Sequence, residues 1–291
     1  KYFNPFKESF SDFQITDITY SDLRDDQSIR ADPNIVLIDI WRLNKPGLAQ
    51  LIRQLNEHSP AVVAVDKIFK KGDKKLDDLV LADALKNTEN LVMTYSLAGN
   101  SSGETKYSVG DSNLLFNKNK ETYTVREFGP EHKFKDDQLY SFAVQAAREY
   151  NPAIVDNLFE RNNDREIINY RADWKKFTFL EGFRVLQEDV GKDVIEGKIL
   201  ILGDVGAFRE YELLKELYFT PLNERIAGRT FPDMSGVEIH ANIVSMIKTG
   251  DYYAEMPFWI GFLVALILCY VNMWIFNYIC IKNKTWFEIN S

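Results

Sequence analysis

The sequence feature that most constrains this chain is a long uncharged run near its carboxyl end. Residues 258–281 are 24 positions without a single Asp, Glu, Lys or Arg. As an α-helix rising about 1.5 Å per residue, the run would extend about 36 Å, enough to cross the ~30 Å hydrocarbon core of a bilayer. Trp259 and Trp274, whose rings favour headgroup depth, lie toward its two ends. The run predicts a transmembrane helix; the alternative is a buried helix of a soluble protein.

The charges on either side of this run predict its orientation. Lys282 and Lys284 follow it directly, whereas Asp251 and Glu255 precede it. Cationic flanks stay on the cytoplasmic side of a bacterial membrane. We therefore expect the polypeptide that precedes the run to lie outside the cytoplasm.

This orientation divides the chain into three predicted parts. Residues 1–257 form an extracytoplasmic domain, residues 258–281 the transmembrane helix, and residues 282–291 a cytoplasmic stub. Because the sequence begins at Lys1 without a signal peptide, we expect a piece of a longer protein with another span upstream. The predicted location is the bacterial inner membrane, with the main domain facing the periplasm.

Charge and cysteine content exclude several classes of function. The formal net charge is −8, which argues against nucleic-acid binding because that activity needs a basic surface. Both cysteines, Cys269 and Cys280, lie in the uncharged run, so the outer domain has neither a disulfide nor a thiol nucleophile. The sequence also has no GxSxG motif and no histidines paired at zinc-ligand spacing. We expect no enzyme and no cofactor.

Short apolar runs and periodic helices alternate in the first part of the domain. Residues 35–40 (IVLIDI) and 61–65 (AVVAV) are typical of buried parallel strands. Between them, Asn44 and Pro46 mark the start of an amphipathic helix, so the three elements predict a right-handed βαβ unit. A helix near 77–86, a strand over 91–97 and a short strand at 15–20 are also predicted.

The second part of the domain continues the same pattern less regularly. Residues 98–135 predict hairpins or a flap over the sheet edge. Helices are predicted over 138–150 and 236–249, and strands over 167–170, 177–179 and 198–203. The expected fold class is α/β, a mostly parallel sheet flanked by helices, with a C-terminal transmembrane helix.

The order of these pieces resembles a known family. IVLIDI, AVVAVDKIF, LVMTYSL and YSFAVQAA are followed by KILILGD at 198–204 and by PDMSGVEIHANIVSMI, which ends shortly before the apolar run. This order is similar to the type-two CHASE family, the cyclase- and histidine-kinase-associated sensory extracellular domains of bacteria. The likeness covers nearly all of residues 33–281, although residues 98–135 match nothing in the pattern. It implies a sensory ectodomain, and it implies no particular ligand.

Three carboxylates are predicted at the ends of parallel strands. Asp39, Asp66 and Asp204 lie at or next to the carboxyl ends of three apolar runs, and open α/β sheets bind ligands at that edge. If the strands are neighbours, these side chains converge as a ligand site or hold a hard cation such as Mg²⁺ or Ca²⁺. The alternative is that each carboxylate caps the following loop or helix.

Glu238 and His240, on the predicted 236–249 helix, are further ligand-binding candidates. Half-burial with hydrogen bonds is the default for His240, and a ligand contact or a pH-sensitive latch is the alternative. Nearby, Gly203-Asp204-Val205-Gly206 lacks the spacing of a phosphate-binding loop and is interpreted as a tight turn.

Asn272 and Asn277 are polar residues inside the apolar run. Polar side chains are costly in lipid unless they face other helices, so both are candidates for helix packing in a bundle with spans of this or a partner protein. The alternative is that both amides bond to their own helix backbone.

These observations favour a membrane-anchored sensory domain of a bacterial signalling protein. An envelope ligand or protein would bind, and the 236–249 helix would relay the signal to the span. The alternative is a membrane-anchored scaffold subunit of an envelope complex.

Overall fold

The computed structural model describes residues 31–69, 75–95, 108–111, 124–134, 137–188, 190–205, 217–222, 233–254 and 257–282. The predicted strand at 15–20, most of the predicted 98–135 flap and the stub beyond residue 282 lie outside these ranges. Contacts divide the chain into two compact units, Lys1–Tyr252 and Tyr253–Ser291.

Twelve strands are found in the part of the chain that the structure describes. They are β1 (Ile35–Asp39), β2 (Val62–Asp66), β3 (Leu91–Tyr95), β4 (Ser108–Asp111), β5 (Glu127–Phe128), β6 (Glu131–Phe134), β7 (Asp137–Tyr140), β8 (Glu166–Ile167), β9 (Thr178–Glu181), β10 (Ile199–Gly203), β11 (Leu217–Tyr218) and β12 (Met234–Ser235). The helices in the same ranges are α1 (Lys45–Glu57), α2 (Lys75–Lys86), α3 (Phe142–Tyr150), α4 (Ala153–Glu160), α5 (Gly182–Val185), α6 (Lys192–Ile195), α7 (Gly236–Thr249) and α8 (Phe258–Lys282).

A six-stranded, all-parallel sheet forms the centre of the domain, in the order β4-β3-β2-β10-β1-β9. The predicted mostly parallel sheet flanked by helices is therefore confirmed. The predicted βαβ unit has parallel strands, but β10 lies between β1 and β2. Because all strands run the same way, their carboxyl ends lie side by side along one edge of the sheet, perpendicular to the strands.

Helices cover both faces of this sheet. Alternate residues of the central strands, such as Val36, Val63 and Leu200, pack with α1 and α2 in one apolar core. On the other face, α3 contacts β2, β3 and β4, and α7 contacts β1 and β10. The apolar runs of β1, β2 and β10 are buried because both of their faces are covered.

The local start signals of α1 and α7 act as the sequence predicts. The Asn44 side chain accepts from Gly47 N–H and caps α1. Ser235 and Glu238 form a capping box at the start of α7, and Gly250 ends the helix in the left-handed conformation with φ 67°. The bounds of α7 are those predicted.

Three predicted elements differ in the structure. The predicted 138–150 helix begins at Phe142, because residues 137–140 pair with β6 as a hairpin and Ser141 caps α3. Within the predicted 98–135 flap, Ser108–Asp111 instead extends the main sheet as a parallel edge strand. Of the predicted 167–170 strand, only Ile167 is in a strand. Ile168 N–H donates to the Arg126 carbonyl, and from Asn169 onward the backbone turns to α7, where Asn169 N–H contacts Met246 Sδ.

The second unit contains α8. Its Phe258–Cys280 portion is the one helix among the described residues that is long and apolar enough to cross a membrane, and it is not buried within the structure.

Candidate functional site

The register of the central strands brings the three predicted carboxylates to one edge. Asp39 ends β1 opposite Gly203 of β10, and Gly203 in turn lies opposite Asp66 at the end of β2. Asp204 follows Gly203 directly. The strands are thus neighbours, and the edge where they end is the candidate site.

The three carboxylates have different partners at this edge. Asp39 Oδ1 accepts a hydrogen bond of 3.1 Å from Val205 N–H, two residues after the end of β10. Asp204 Oδ1 lies 3.6 Å from Lys67 Nζ. Asp66 Oδ2 lies 3.8 Å from Nε2 of His240 on α7. Asp39 therefore bonds to the residues that follow the neighbouring strand β10, and Asp66 lies against α7.

Gly203 permits the close approach of α7 to the strand ends. A Cβ at this position would lie 2.4 Å from Val237 Cγ2 and 3.2 Å from the Asp66 carbonyl oxygen. Gly236, the first residue of α7, stands so close to Asp66 that a Cβ there would be 3.6 Å from Oδ2. The start of the helix therefore packs directly over the end of β2.

Burial perturbs the Asp66 carboxyl group. Its side chain is 17% exposed, and burial together with the negative charge of Asp204 raises its pKa to about 7. A carboxyl group of this kind takes up and releases a proton near neutral pH.

His240 is enclosed in the interior beside Asp66. The side chain is 1% exposed, and its ring packs edge-on against Phe142 of α3 at a centroid distance of 4.7 Å. Neither ring nitrogen has a hydrogen-bond partner among the described residues. Burial lowers the pKa of His240 to about 3, so the imidazole is neutral.

Glu238 lies on the opposite face of α7 from His240. Its carboxylate accepts from Ser235 N–H, from Ser235 Oγ–H and, at 2.9 Å, from Trp174 N–H. Burial raises the pKa of Glu238 to about 7, while the hydrogen bonds from Ser235 and Trp174 act in the opposite direction. The structure therefore separates Glu238 from the aspartates.

Asn242 is a functional candidate that the sequence analysis missed. It is fully buried, and its Oδ1 accepts from the backbone N–H groups of Arg171 and Ala172 at 2.8 and 3.1 Å. Its Nδ2 donates to the Ala172 carbonyl at 2.8 Å. With Glu238 one turn earlier, Asn242 fastens residues 169–174, here called the docked segment, along one face of α7. A polar residue recurring at helical spacing within an apolar helix was the available signal.

The docked segment also reaches the end of α7. Arg171 donates to Thr249 Oγ1 at 2.8 Å and to Asp251 Oδ2 at 2.6 Å. The Asn169 side chain donates to the Asp251 carbonyl at 3.1 Å. Lys248 pairs with both oxygens of Asp32, which is 7% exposed. Polar contacts thus tie the last turn of α7, and the residues just after it, to the domain.

The cation site predicted for Asp39, Asp66 and Asp204 gains no support from this geometry. Among the described residues, no group of three or more His, Cys, Asp or Glu side chains is arranged to hold a metal ion. We therefore do not assign these aspartates as metal ligands.

The structure shows a bond for one of the two asparagines of α8. Asn272 Nδ2 donates to the carbonyl of Leu268 at 2.8 Å, which is the backbone-bonded alternative for that residue. Packing of Asn272 and Asn277 against other spans stays a prediction.

The described structure is thus a helix-covered parallel sheet, followed along the chain by one helix apolar enough to cross a membrane. Comparison with protein families finds that the CHASE2 domain model matches residues 12–275. The chain belongs to the CHASE2 domain family, whose members are extracellular sensory domains of signalling proteins. Neither a curated protein nor a solved structure matches the chain.

Proposed function

We propose that this chain is the membrane-anchored, periplasm-facing sensory domain of a bacterial inner-membrane signalling protein. An envelope signal acts on the domain, and α7 relays the change to α8. The domain performs no catalysis and needs no cofactor. Its partners are the membrane, other transmembrane helices of the same or another protein, and an envelope ligand or protein.

The observation that carries this proposal is the placement of α7. One face of the helix holds the docked segment through Glu238 and Asn242, and the other places His240 against Asp66 at the strand ends. Only residues 250–257 separate α7 from α8 along the chain. The helix is therefore the element that touches the candidate site and precedes the span.

Both ends of α7 favour movement of the helix as one body. The capping box satisfies its first turn, and the Gly250 N–H returns to the helix by bonding to the Ile247 carbonyl. A well-capped helix resists fraying, so a shift at Ser235 reaches Thr249. Relay further requires two states of the domain with different affinity for the signal.

The contacts of the docked segment offer a way to build those two states. Arg171 bonds both to the last turn of α7 and to Asp251, whose side chain is 62% exposed. The Arg171 side chain is only 14% exposed, so the pair is half-buried and it is the Asp251 side that can turn into solvent. The Asn242 bonds are buried and hold the segment in register along the helix. We infer that α7 and the segment move together while the contact of Arg171 with Asp251 changes.

Membrane topology tests the sensory placement. In a background with Cys269→Ser and Cys280→Ser, single cysteines at Asp156, exposed on α4, and at Ser291 are labelled with a membrane-impermeant maleimide in intact spheroplasts. We expect Asp156→Cys to react in intact spheroplasts and Ser291→Cys only after lysis. The reverse pattern would refute an extracytoplasmic sensor.

A further inference from the structure

The Asp66–His240 contact leaves polar groups inside the domain that the relay does not use. Both nitrogens of His240 lack a hydrogen-bond partner within the described residues, and the Nε2–Oδ2 separation of 3.8 Å is longer than a hydrogen bond. Buried polar atoms are nearly always paired, and an unpaired one points to a role or to a missing partner. The contact joins β2 of the sheet to α7, the proposed relay helix.

Access to this contact restricts what can bind there. The two nitrogens of His240 have almost no solvent-accessible surface, so a dissolved molecule cannot touch them without opening the domain. The Asp66 side chain retains 17% exposure. A proton can therefore reach the contact through Asp66, whereas a larger ligand cannot.

The charged groups around the contact come from three strand ends. Asp204 follows β10, and its charge acts directly on Asp66. Lys67 follows β2 and lies 3.6 Å from Asp204, and Asp39 ends β1 with its Oδ1 bonded to Val205 N–H. With Asp66 ionised, Asp39, Asp66 and Asp204 are three neighbouring carboxylates, and Lys67 lies beside Asp204. Beyond Asp39, Glu181 ends β9 and pairs with Arg184.

The helices packed against the contact add no charge directly beside it. From α3 the neighbour is Phe142, and the charged residues Arg148 and Glu149 lie about 9–10 Å further along that helix. On α7 itself, Glu238 faces Trp174, and Lys248 pairs with Asp32. Proton uptake at Asp66 therefore removes a negative charge directly at the Asp66–His240 contact.

We propose that the Asp66–His240 pair is a proton-binding site and that acidification is an input signal of this domain. The inference rests on the sensory function proposed above and names its signal. When Asp66 takes up a proton, its repulsion with Asp204 ends. The new carboxyl O–H can then donate to the neutral His240 Nε2, with the remaining ring proton on Nδ1. This bond draws the amino-terminal half of α7 toward the end of β2.

The direction of the response follows from the same groups. Asp66 titrates in the neutral range because burial and Asp204 disfavour its charge. Mild acid therefore favours the closed Asp66–His240 contact, and mildly alkaline conditions favour a longer one. Removing the charge of Asp204 weakens proton binding and shifts the response to lower pH.

Histidine NMR of the full chain in nanodiscs tests the proposal. The chain has three histidines, so ¹³C-histidine labelling gives few signals, and His58→Asn and His132→Asn identify that of His240. We expect the His240 signal to move with a midpoint near pH 7 across about pH 5.5–8.5, because its tautomer follows the protonation of Asp66. Asp66→Asn abolishes this transition, and Asp204→Asn moves the midpoint to lower pH. Asp156→Asn, at an exposed site on α4, leaves it unchanged.

A flat His240 signal in the wild type, or a transition that survives Asp66→Asn, would overturn the proposal. The Asp204→Asn arm remains informative if Asp66→Asn fails to fold, since an unmoved midpoint also contradicts it. Failure here with correct maleimide topology refutes the proton input and leaves the sensory function standing. A reversed topology refutes the function whatever His240 does.

Discussion

Replacing Asn242 by leucine removes the central attachment between α7 and the docked segment. Leucine has a similar volume but no polar atoms, so the N–H groups of Arg171 and Ala172 and the Ala172 carbonyl lose their partner. A buried backbone group left unsatisfied costs about 1–3 kcal/mol. Because Arg171 is only partly buried, we count each of the three groups at the lower value. The expected loss of unfolding free energy is about 3 kcal/mol.

Thermal unfolding of the full chain in detergent, followed by near-UV circular dichroism, measures this loss. For a domain of this size about 1 kcal/mol corresponds to about 2–4 °C, so Asn242→Leu lowers Tm by about 6–12 °C. Asn157→Leu, the same exchange at an exposed position of α4, is the matched control and changes stability by less than about 0.5 kcal/mol. If both variants melt together, the docked segment is not held by Asn242 and the reasoning fails.

Three further variants test the surroundings of α7. Lys248→Met leaves the buried Asp32 carboxylate without its cation and is expected to lower the free energy of unfolding in urea by about 3 kcal/mol. Adding Asp32→Asn to the same chain should restore part of this loss. Equal stability of both variants and the wild type would contradict this. Glu238 binds a proton more tightly when folded, so its contribution is complete below about pH 4.5 and disappears as the pH rises through about 7. The advantage of the wild type over Glu238→Gln should therefore shrink across that range in pH-dependent unfolding, and a constant difference would disagree. Gly203→Ala forces a methyl group against Val237 and should lower the free energy of unfolding by about 1–3 kcal/mol. In a double-mutant cycle, Val237→Ala in the same chain should recover part of that loss. Strictly additive effects of the two substitutions would count against the close approach.

The central elements of this fold are predictable because their signals are local. β1, β2 and β10 are apolar runs that end in or beside Asp or Gly, and α7 carries both a capping box and a terminal glycine. Continuous burial on two faces gives such strands their composition, so the sequence pattern and the structure agree. The aspartates at the strand ends lie close together because β10 lies between β1 and β2 in the sheet.

What was missed depends on strand pairing and side-chain contacts that the periodicity of the sequence does not reveal. Ser108–Asp111 joins the sheet through β3, and residues 137–140 pair with β6 although the sequence around them favours a helix. Within the described ranges the docked segment pairs with no strand, and its backbone bonds instead to side chains of α7 more than 60 residues away. Asn242 sits inside an apolar helix pattern, where sequence periodicity assigns it only to the core. Helix α4 was not predicted from the sequence.

The central claim is that a change in the contacts of α7 reaches the span. Spin labels at Asp156→Cys and Phe258→Cys, in the Cys269→Ser/Cys280→Ser background, report the distance distribution between domain and span in nanodiscs by pulsed electron resonance. Arg171→Gln removes the bonds to Thr249 and Asp251. Arg53→Gln, the control, removes exposed contacts between α1 and Val80 and Asp83 of α2. We predict that Arg171→Gln shifts or broadens the distribution and that Arg53→Gln does not. Identical distributions in all three proteins would contradict the relay and favour a domain that serves as a docking scaffold.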